Sequence, residues 1–309
     1  MALHPVLFTV PLGRREIAIS TYGVLVTAGL ALGIWVAQRQ GRRRGFDSGQ
    51  VMDLAFWTIV AGLLGSRLTY GLVNARAFWR MCADGPGPWW HDCTGLFRLW
   101  EGGLVFYGGL LAAAGAGYLY ARRQGWSFGT AGDLAAPALA IGHTFGRIGC
   151  YAAGCCFGKE TSWRVGVPFP RGSVAFDVLG RAGAVPPGAG ETPPLHPTQL
   201  YEAAGEAAIF AILCAASPRL RRRPGALLAL YLGLYAALRF VVEMFRGDTI
   251  RGMLVELRTP RLAARLGMAA DDPLFLSTSQ VASLLIGALL VVVLIRRARH
   301  PPALKTPAP

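Results

Sequence analysis

Residues 20–45 read STYGVLVTAGLALGIWVAQRQGRRRG. The apolar part, taken as 18–38, has the ~20 residues that a helix rising 1.5 Å per residue needs to cross the hydrocarbon core of a bilayer. Four arginines, Arg39, Arg42, Arg43 and Arg44, follow at its end. An apolar run closed by a basic cluster is the pattern of a membrane helix stopped at a cytoplasmic surface. The rest of the chain repeats it. Further apolar blocks at 51–73, 104–121, 131–151, 198–217, 225–243 and 279–295 bring the expected number of spans to about seven. The fold expected is an all-α polytopic membrane protein.

Composition agrees with this. Of 309 residues, 53% are hydrophobic and only 16% charged, and the mean hydropathy is +0.40. Soluble domains carry about a quarter charged residues. Counted over seven spans, Arg39 to Arg44, Arg122 with Arg123, Arg219 to Arg223 and Arg296 to Arg299 all fall on one side. The positive-inside rule makes that side the cytoplasm, with the N-terminus outside and the C-terminus inside. The net charge of +14 is then spread over short clusters beside the membrane. Orientation and anionic lipid headgroups account for them, and no nucleic-acid partner is expected.

Residues 1–300 read as one integral-membrane domain and the Pro-rich 301–309 as a disordered cytoplasmic tail. The N-terminal MALHPVLFTVPLGRREIAIS lacks a basic region before its apolar part, and Pro5 and Pro11 interrupt it, so it reads as an external arm at the membrane surface rather than a cleavable signal. Three extracytoplasmic segments stand out, 74–103, 152–197 and 244–278. Long connections on one face put the working surface there. The first holds Trp89, Trp90 and Trp100, suited to the aromatic interface belt. It also holds Cys82 and Cys93, which an oxidising compartment would allow to pair. Cys214 reads as a small buried apolar residue.

Ionisable residues at membrane depth are costly and mark function. Five stand out: Arg67 in GLLGSRLTYGL, Arg147, Glu202 in HPTQLYEAAGE, and Arg239 and Glu243 in LYAALRFVVEMFRGD. Arg239 and Glu243 are four apart on one helix face, and Arg246 continues that face. Interior ion pairs that lock a bundle would explain each residue singly. Arginines outnumbering the nearby carboxylates favour a bound anion, and a phosphate accepts guanidinium forks well. An anionic lipid headgroup is the ligand expected.

The stretch GHTFGRIGCYAAGCCFG, residues 142–158, carries Arg147, His143, Cys150, Cys155 and Cys156 among five glycines. No C-x-x-C pair occurs, and vicinal residues on a helix diverge by about 100°, which weighs against a metal. A Cys150–Cys155 disulfide and a reactive thiol stay open. The glycines imply close backbone approach or a broken helix, tolerated at membrane depth only around a cavity or protein interior. The stretch reads as the wall of a pocket.

Taken in order, these motifs resemble one family, the prolipoprotein diacylglyceryl transferases. STYGVLV, GLLGSRLTY, LWEGGLVFYGGLLAA, the 142–158 stretch, HPTQLYE, LRFVVEMFRGD and LSTSQVASLL are similar to its successive span motifs. The resemblance implies a bacterial inner-membrane enzyme, multi-pass, with its active site facing the periplasm. It would move a diacylglyceryl group from phosphatidylglycerol to the lipobox cysteine of a preprolipoprotein signal peptide, releasing glycerol phosphate. It implies catalytic roles for Arg147, Arg239, Glu243 and Tyr107, with Arg147 and Arg239 on the phosphate and Glu243 orienting Arg239. Substrate-binding positions would be Tyr22, Arg67, Arg147, Cys150, Gly158, His196, Glu202, Arg239 and Arg246. The expected partners are phosphatidylglycerol, the preprolipoprotein and membrane lipids, with no metal and no soluble cofactor.

The chain departs from the family pattern in places. The familiar signature has asparagine at the place of Cys150 and glutamate at that of Cys155. The third-span motif commonly has histidine where Tyr107 stands. Tyrosine, with an ordinary pKa near 10, is a poor base at neutral pH but a serviceable donor. His143, one turn before Arg147, could stand in, and helix packing explains it equally well. These departures keep two other readings in view: a diverged phospholipid-dependent transferase with another acceptor, and a membrane thiol–disulfide protein.

Overall fold

A computed structural model describes residues 6–12, 15–84, 94–98, 103–247 and 253–299. Trp89, Trp90, Cys93, Trp100 and the tail 301–309 lie outside these. Seven long helices coincide with the expected spans: α1 (Thr21–Arg43), α2 (Ser48–Val73), α4 (Phe106–Arg123), α5 (Phe128–Ala153), α7 (Thr198–Leu220), α8 (Ala226–Glu243) and α10 (Thr278–Arg299). Shorter helices are α3 (Ala75–Asp84), α6 (Val174–Arg181) and α9 (Pro260–Arg265). Four of the long ones, α1, α2, α7 and α8, are long and apolar enough to cross a membrane; the apolar part of α10, Thr278–Val293, is shorter. The protein is a mostly helical, multi-pass membrane protein.

Two corrections concern the strands. The N-terminal arm is an antiparallel hairpin, β1 (Val6–Leu12) with β2 (Arg15–Ser20), in register from Phe8–Ile19 to Leu12–Arg15 with a shift between Val6 and Phe8. A second hairpin, β3 (Met253–Arg258) with β4 (Pro273–Ser277), lies within the 244–278 segment. The fold is therefore not purely helical. Both hairpins lie outside the apolar runs, in segments too polar or Pro-interrupted to satisfy their backbone as long helices.

The chain forms two compact units. The second comprises Ile34–Ala135 and Arg221–Gly225. In it small residues of α2, Gly62, Gly65 and Ser66, face Gly108, Gly109 and Ala112 of α4. Such faces let backbones approach in a bilayer, where no hydrophobic force drives helices together. Among its buried charges is Asp133, whose Oδ2 accepts from the Gly225 amide at 3.0 Å and pairs with Arg44 at 3.5 Å. Cys82 on α3 is disulfide-bonded.

The first unit comprises Met1–Gly33, Ala136–Leu220 and Ala226–Pro309. Ala136 and Ala140 of α5 pack with Ile209 and Leu213 of α7 and with Leu227 and Tyr231 of α8. The 152–197 segment has a small core of its own, Phe157, Phe169, Ala175 and Leu195. At the start of α10, Ser277 Oγ accepts from the Gln280 amide at 3.2 Å, and Gln280 Oε1 accepts from the Ser277 amide at 3.1 Å. This reciprocal capping box sets where the last long helix begins.

Candidate active site

The charged cluster belongs to the first unit and is built from the ends of four helices. Arg147 lies near the C-terminal end of α5, Glu202 on the first turns of α7, Arg239 and Glu243 at the end of α8, and Ser279 at the start of α10. Arg147 Nη2 donates to Glu202 Oε1 at 2.8 Å, and Arg239 Nη1 to Glu202 Oε2 at 3.4 Å. Arg239 Nη2 also donates to Glu243 and, at 3.4 Å, to Ser279 Oγ. Glu202 is fully buried, while Arg147 keeps 12% of its side chain accessible. One carboxylate thus holds two guanidinium groups, each on its own oxygen. Their mutual repulsion is offset only while Glu202 stays between them.

His143 extends the network downward. Arg147 Nε donates to His143 Nε2 at 3.1 Å, which makes that nitrogen the acceptor and leaves the proton on Nδ1. His143 Nδ1 lies 2.8 Å from Glu206 Oε1, and the imidazole packs on the Tyr235 ring at 5.4 Å. His143 thus stands between a guanidinium and a carboxylate. Glu206 was not singled out from the sequence, although it stands four residues after Glu202 on the same helix face. A second carboxylate one turn along a membrane helix was the available signal. It also corrects the charge count: three arginines, Arg147, Arg239 and Arg246, stand with three carboxylates rather than two.

Beside this network the chain turns sharply. Gly154 has φ +69°, and so, unusually for a residue with a side chain, does Cys156 at +60°. The Cys155 amide bonds to the Cys150 carbonyl at 3.1 Å. Thr198 Oγ1 donates to the Cys156 carbonyl at 2.8 Å, and Gln199 Nε2 to the Cys155 carbonyl at 2.7 Å. The HPTQ segment therefore fastens the cysteine turn. The helical argument that vicinal cysteines diverge does not apply here, because α5 has ended before Cys155. The Cys150, Cys155 and Cys156 Sγ atoms lie within 4.8 Å of one another, as free thiols. The Cys150–Cys155 disulfide is not formed. Tyr22, packed over Gly149, is within electrostatic reach of all three sulfurs, Arg147 of Cys150 and Cys156, and Arg246 of Cys156.

A family model described as prolipoprotein diacylglyceryl transferase matches residues 5–296. The chain belongs to this family. Its relatives include a phosphatidylglycerol–prolipoprotein diacylglyceryl transferase of Cupriavidus metallidurans, 30% identical over 305 residues, covering 96% of this chain and 97% of the relative. Proteins of the same name from Gloeobacter violaceus and Clostridium tetani are 31% and 29% identical over 257 residues. These alignments cover 81% and 83% of this chain, and 85% and 90% of those relatives.

The remaining expected site residues divide between the two units. Gly158 sits where three segments cross: its amide bonds to the His196 carbonyl at 3.0 Å, and it bridges to Arg246. A Cβ at Gly158 would come within 2.5 Å of the His196 carbonyl oxygen and 2.7 Å of that of Phe245. The structure gives Gly158 the task of closing this crossing. His196 is fully buried, ringed by Trp163, Tyr201 and Phe245. Its Nε2 faces the Leu266 carbonyl at 3.2 Å, which can only accept, so the proton is there and Nδ1 accepts from Tyr201 at 3.1 Å. Burial holds the His196 pKa below its ordinary value, and neighbouring Lys159 adds to this. Lys159 donates to the carbonyls of Met244 and Pro273, and burial likewise lowers its pKa. Both residues join loops rather than reach toward the arginine cluster.

Arg67 and Tyr107 belong to the second unit. Buried Arg67 donates to three backbone carbonyls, of Gly95 at 2.6 Å, Gly103 at 3.0 Å and Arg98 at 3.1 Å, and stacks 5.3 Å from the Tyr70 ring centre. It holds the backbone at Gly95, Arg98 and Gly103. Tyr107, at the start of α4, is exposed and lies edge-on to Phe106.

Proposed function

We propose that this chain is a phosphatidylglycerol–prolipoprotein diacylglyceryl transferase, acting in lipoprotein maturation. It takes the diacylglyceryl group of phosphatidylglycerol, and the acceptor is the lipobox cysteine thiol of the preprolipoprotein. The thiolate attacks the glyceryl carbon that bears the phosphate, the carbon–oxygen bond breaks, and glycerol phosphate leaves with the electron pair. The protein crosses the bacterial inner membrane about seven times, N-terminus outside and C-terminus in the cytoplasm, with its site facing the periplasm. The loop segments 74–103, 152–197 and 244–278 lie on that outer side.

The observation that carries this reading is the joint hold of Glu202 on Arg147 and Arg239. A developing phosphate dianion is stabilised by fixed guanidinium donors, and here two are fixed before substrate arrives. Arg147 uses Nε and Nη2 inside the cluster, which leaves Nη1 for a phosphate oxygen. In this reading Glu243 orients Arg239, Arg246 adds positive charge, and Tyr22 lines the site. The test uses the purified protein in membranes of phosphatidylglycerol with a lipobox peptide. A diacylglyceryl thioether on the peptide, seen by mass spectrometry, is expected. Its absence, or equal rescue of a transferase-depleted strain by wild type and Arg147→Ala, sinks the reading.

A further inference from the structure

The phosphate clamp leaves the three thiols without a task. We propose that Cys150, Cys155 and Cys156 form a three-thiolate site for one thiophilic divalent cation of the Zn2+ class, whose fourth position takes the acceptor thiol. The proposal rests on the transferase reading.

Geometry comes first. Tetrahedral zinc with sulfur ligands at about 2.3 Å sets its sulfurs about 3.8 Å apart. The three Sγ atoms already lie within 4.8 Å of one another. The backbone that brings them there is strained: a side chain disfavours the left-handed conformation, and Cys156 adopts it at φ +60°. The hydrogen bonds from Thr198 and Gln199 to the Cys156 and Cys155 carbonyls hold it in place. The turn so fixed pre-forms a chelate.

Charge comes second. Arg147 and Arg246 would repel a bare cation, but three thiolates around a divalent ion carry a net charge of −1. The guanidinium groups of Arg147 and Arg246, both acting on the Cys156 sulfur, then favour the loaded site. Third, the three cysteines are only partly buried. Structural zinc sites close with four protein ligands, whereas three ligands with an accessible position define a reactive site. In this protein Tyr22 packs over Gly149, the neighbour of Cys150, and Arg147 stands three residues before that cysteine.

The chemistry balances without redox change. The acceptor thiol loses its proton to water on coordination, as metal-bound sulfur does, and so becomes a thiolate at neutral pH. Its lone pair forms the new sulfur–carbon bond while the carbon–oxygen bond to phosphate breaks. The product thioether carries no charge and is a weaker ligand, so it leaves. A metal would thus supply the activation that neither His143, set between Arg147 and Glu206, nor exposed Tyr107 supplies.

The experiment takes full-length protein in detergent, reduced and stripped of metal by a chelator, and titrates it with Co2+. One equivalent should bring up a sulfur-to-cobalt charge-transfer band and intense tetrahedral visible bands. Cys155→Ser and Cys156→Ser should lose the band while keeping helical circular dichroism, and Cys214→Ser should keep both. A cysteine-containing lipobox peptide should shift the visible bands, and its Cys→Ser analogue should not. No charge-transfer band in wild type, a band unaffected by the peptide, or a Cys150–Cys155 disulfide in protein drawn from its membrane would each overturn the proposal. Thioether formation unchanged after metal removal overturns it while leaving the transferase reading intact. Metal binding without any thioether formation overturns the transferase reading and, with it, the acceptor role assigned to the fourth position.

Discussion

Arg147 and Glu202 meet at 2.8 Å although 55 residues separate them in the chain. Glu202 offers its other oxygen to Arg239. This shared carboxylate makes two arginines of different helices act as one group. Glu202→Gln keeps the shape and removes the charge between them. Turnover is expected to fall ~10²–10³-fold, the range for losing fixed charge stabilisation at a reacting centre. Combined with Arg147→Ala, the losses should fall well short of adding, because both changes break one unit. Rates of thioether formation for the single and double variants check this.

Arg147→Lys separates charge from geometry. Lysine supplies a point charge but cannot reach His143, Glu202 and a phosphate from one planar fork. Activity should lie between that of wild type and Arg147→Ala, with the loss chiefly in the KM for phosphatidylglycerol. Vesicles of graded phosphatidylglycerol content measure it.

Gly158→Ala tests the crossing of the 157–159, 196 and 245–247 segments. The added methyl would sit within 2.5 Å of a carbonyl oxygen, so backbone must shift. Overpacking of this kind costs about 1–3 kcal/mol. A lower Tm in detergent is expected, together with loss of activity out of proportion to it, since Arg246 shares the crossing.

Acid should loosen the same region through His196. Its folded pKa is lowered, mainly by burial, below the ordinary ~6.5. Between that ordinary value and the lower folded one, the unfolded chain binds a proton that the folded chain does not, so stability falls as pH drops through this window and is complete above it. Wild type should lose more Tm between about pH 7.5 and 5.5 than His196→Gln, which keeps a donor for the Leu266 carbonyl without titrating.

Arg67→Ala should act on structure. It strands the carbonyls of Gly95, Arg98 and Gly103 and removes a buried cation. Limited proteolysis should cut the 94–103 segment faster, with the KM for phosphatidylglycerol moved less than by Arg147→Lys. The reverse ranking would make Arg67 a headgroup ligand.

Much of this protein could be read directly from its residues. Apolar runs of bilayer length located seven helices to within a few residues, because hydrophobic length is a local property. Arg147, Glu202, Arg239 and Glu243 stood out because a charge at membrane depth demands a partner wherever the chain folds. The ordered motifs carried the family. Glu206 carries the same signal one turn after Glu202, but its partner His143 lies on another helix, so the pairing exists only in the folded chain.

Tertiary structure decided the rest. Gly158 and His196 lie inside a signature and a motif, yet they join loops, a fact that exists only where three segments cross. Arg67 carries the same membrane-depth signal as Arg147, but its donors meet backbone carbonyls instead of a carboxylate. The cysteines changed most. Spacing along a helix sends adjacent side chains apart, and only the left-handed turn at Gly154 and Cys156, fastened from Thr198 and Gln199 some 40 residues on, folds Cys155 and Cys156 back over Cys150. Backbone direction beyond a helix end is set by what the next element can hydrogen-bond to, and that is written in no single stretch of sequence.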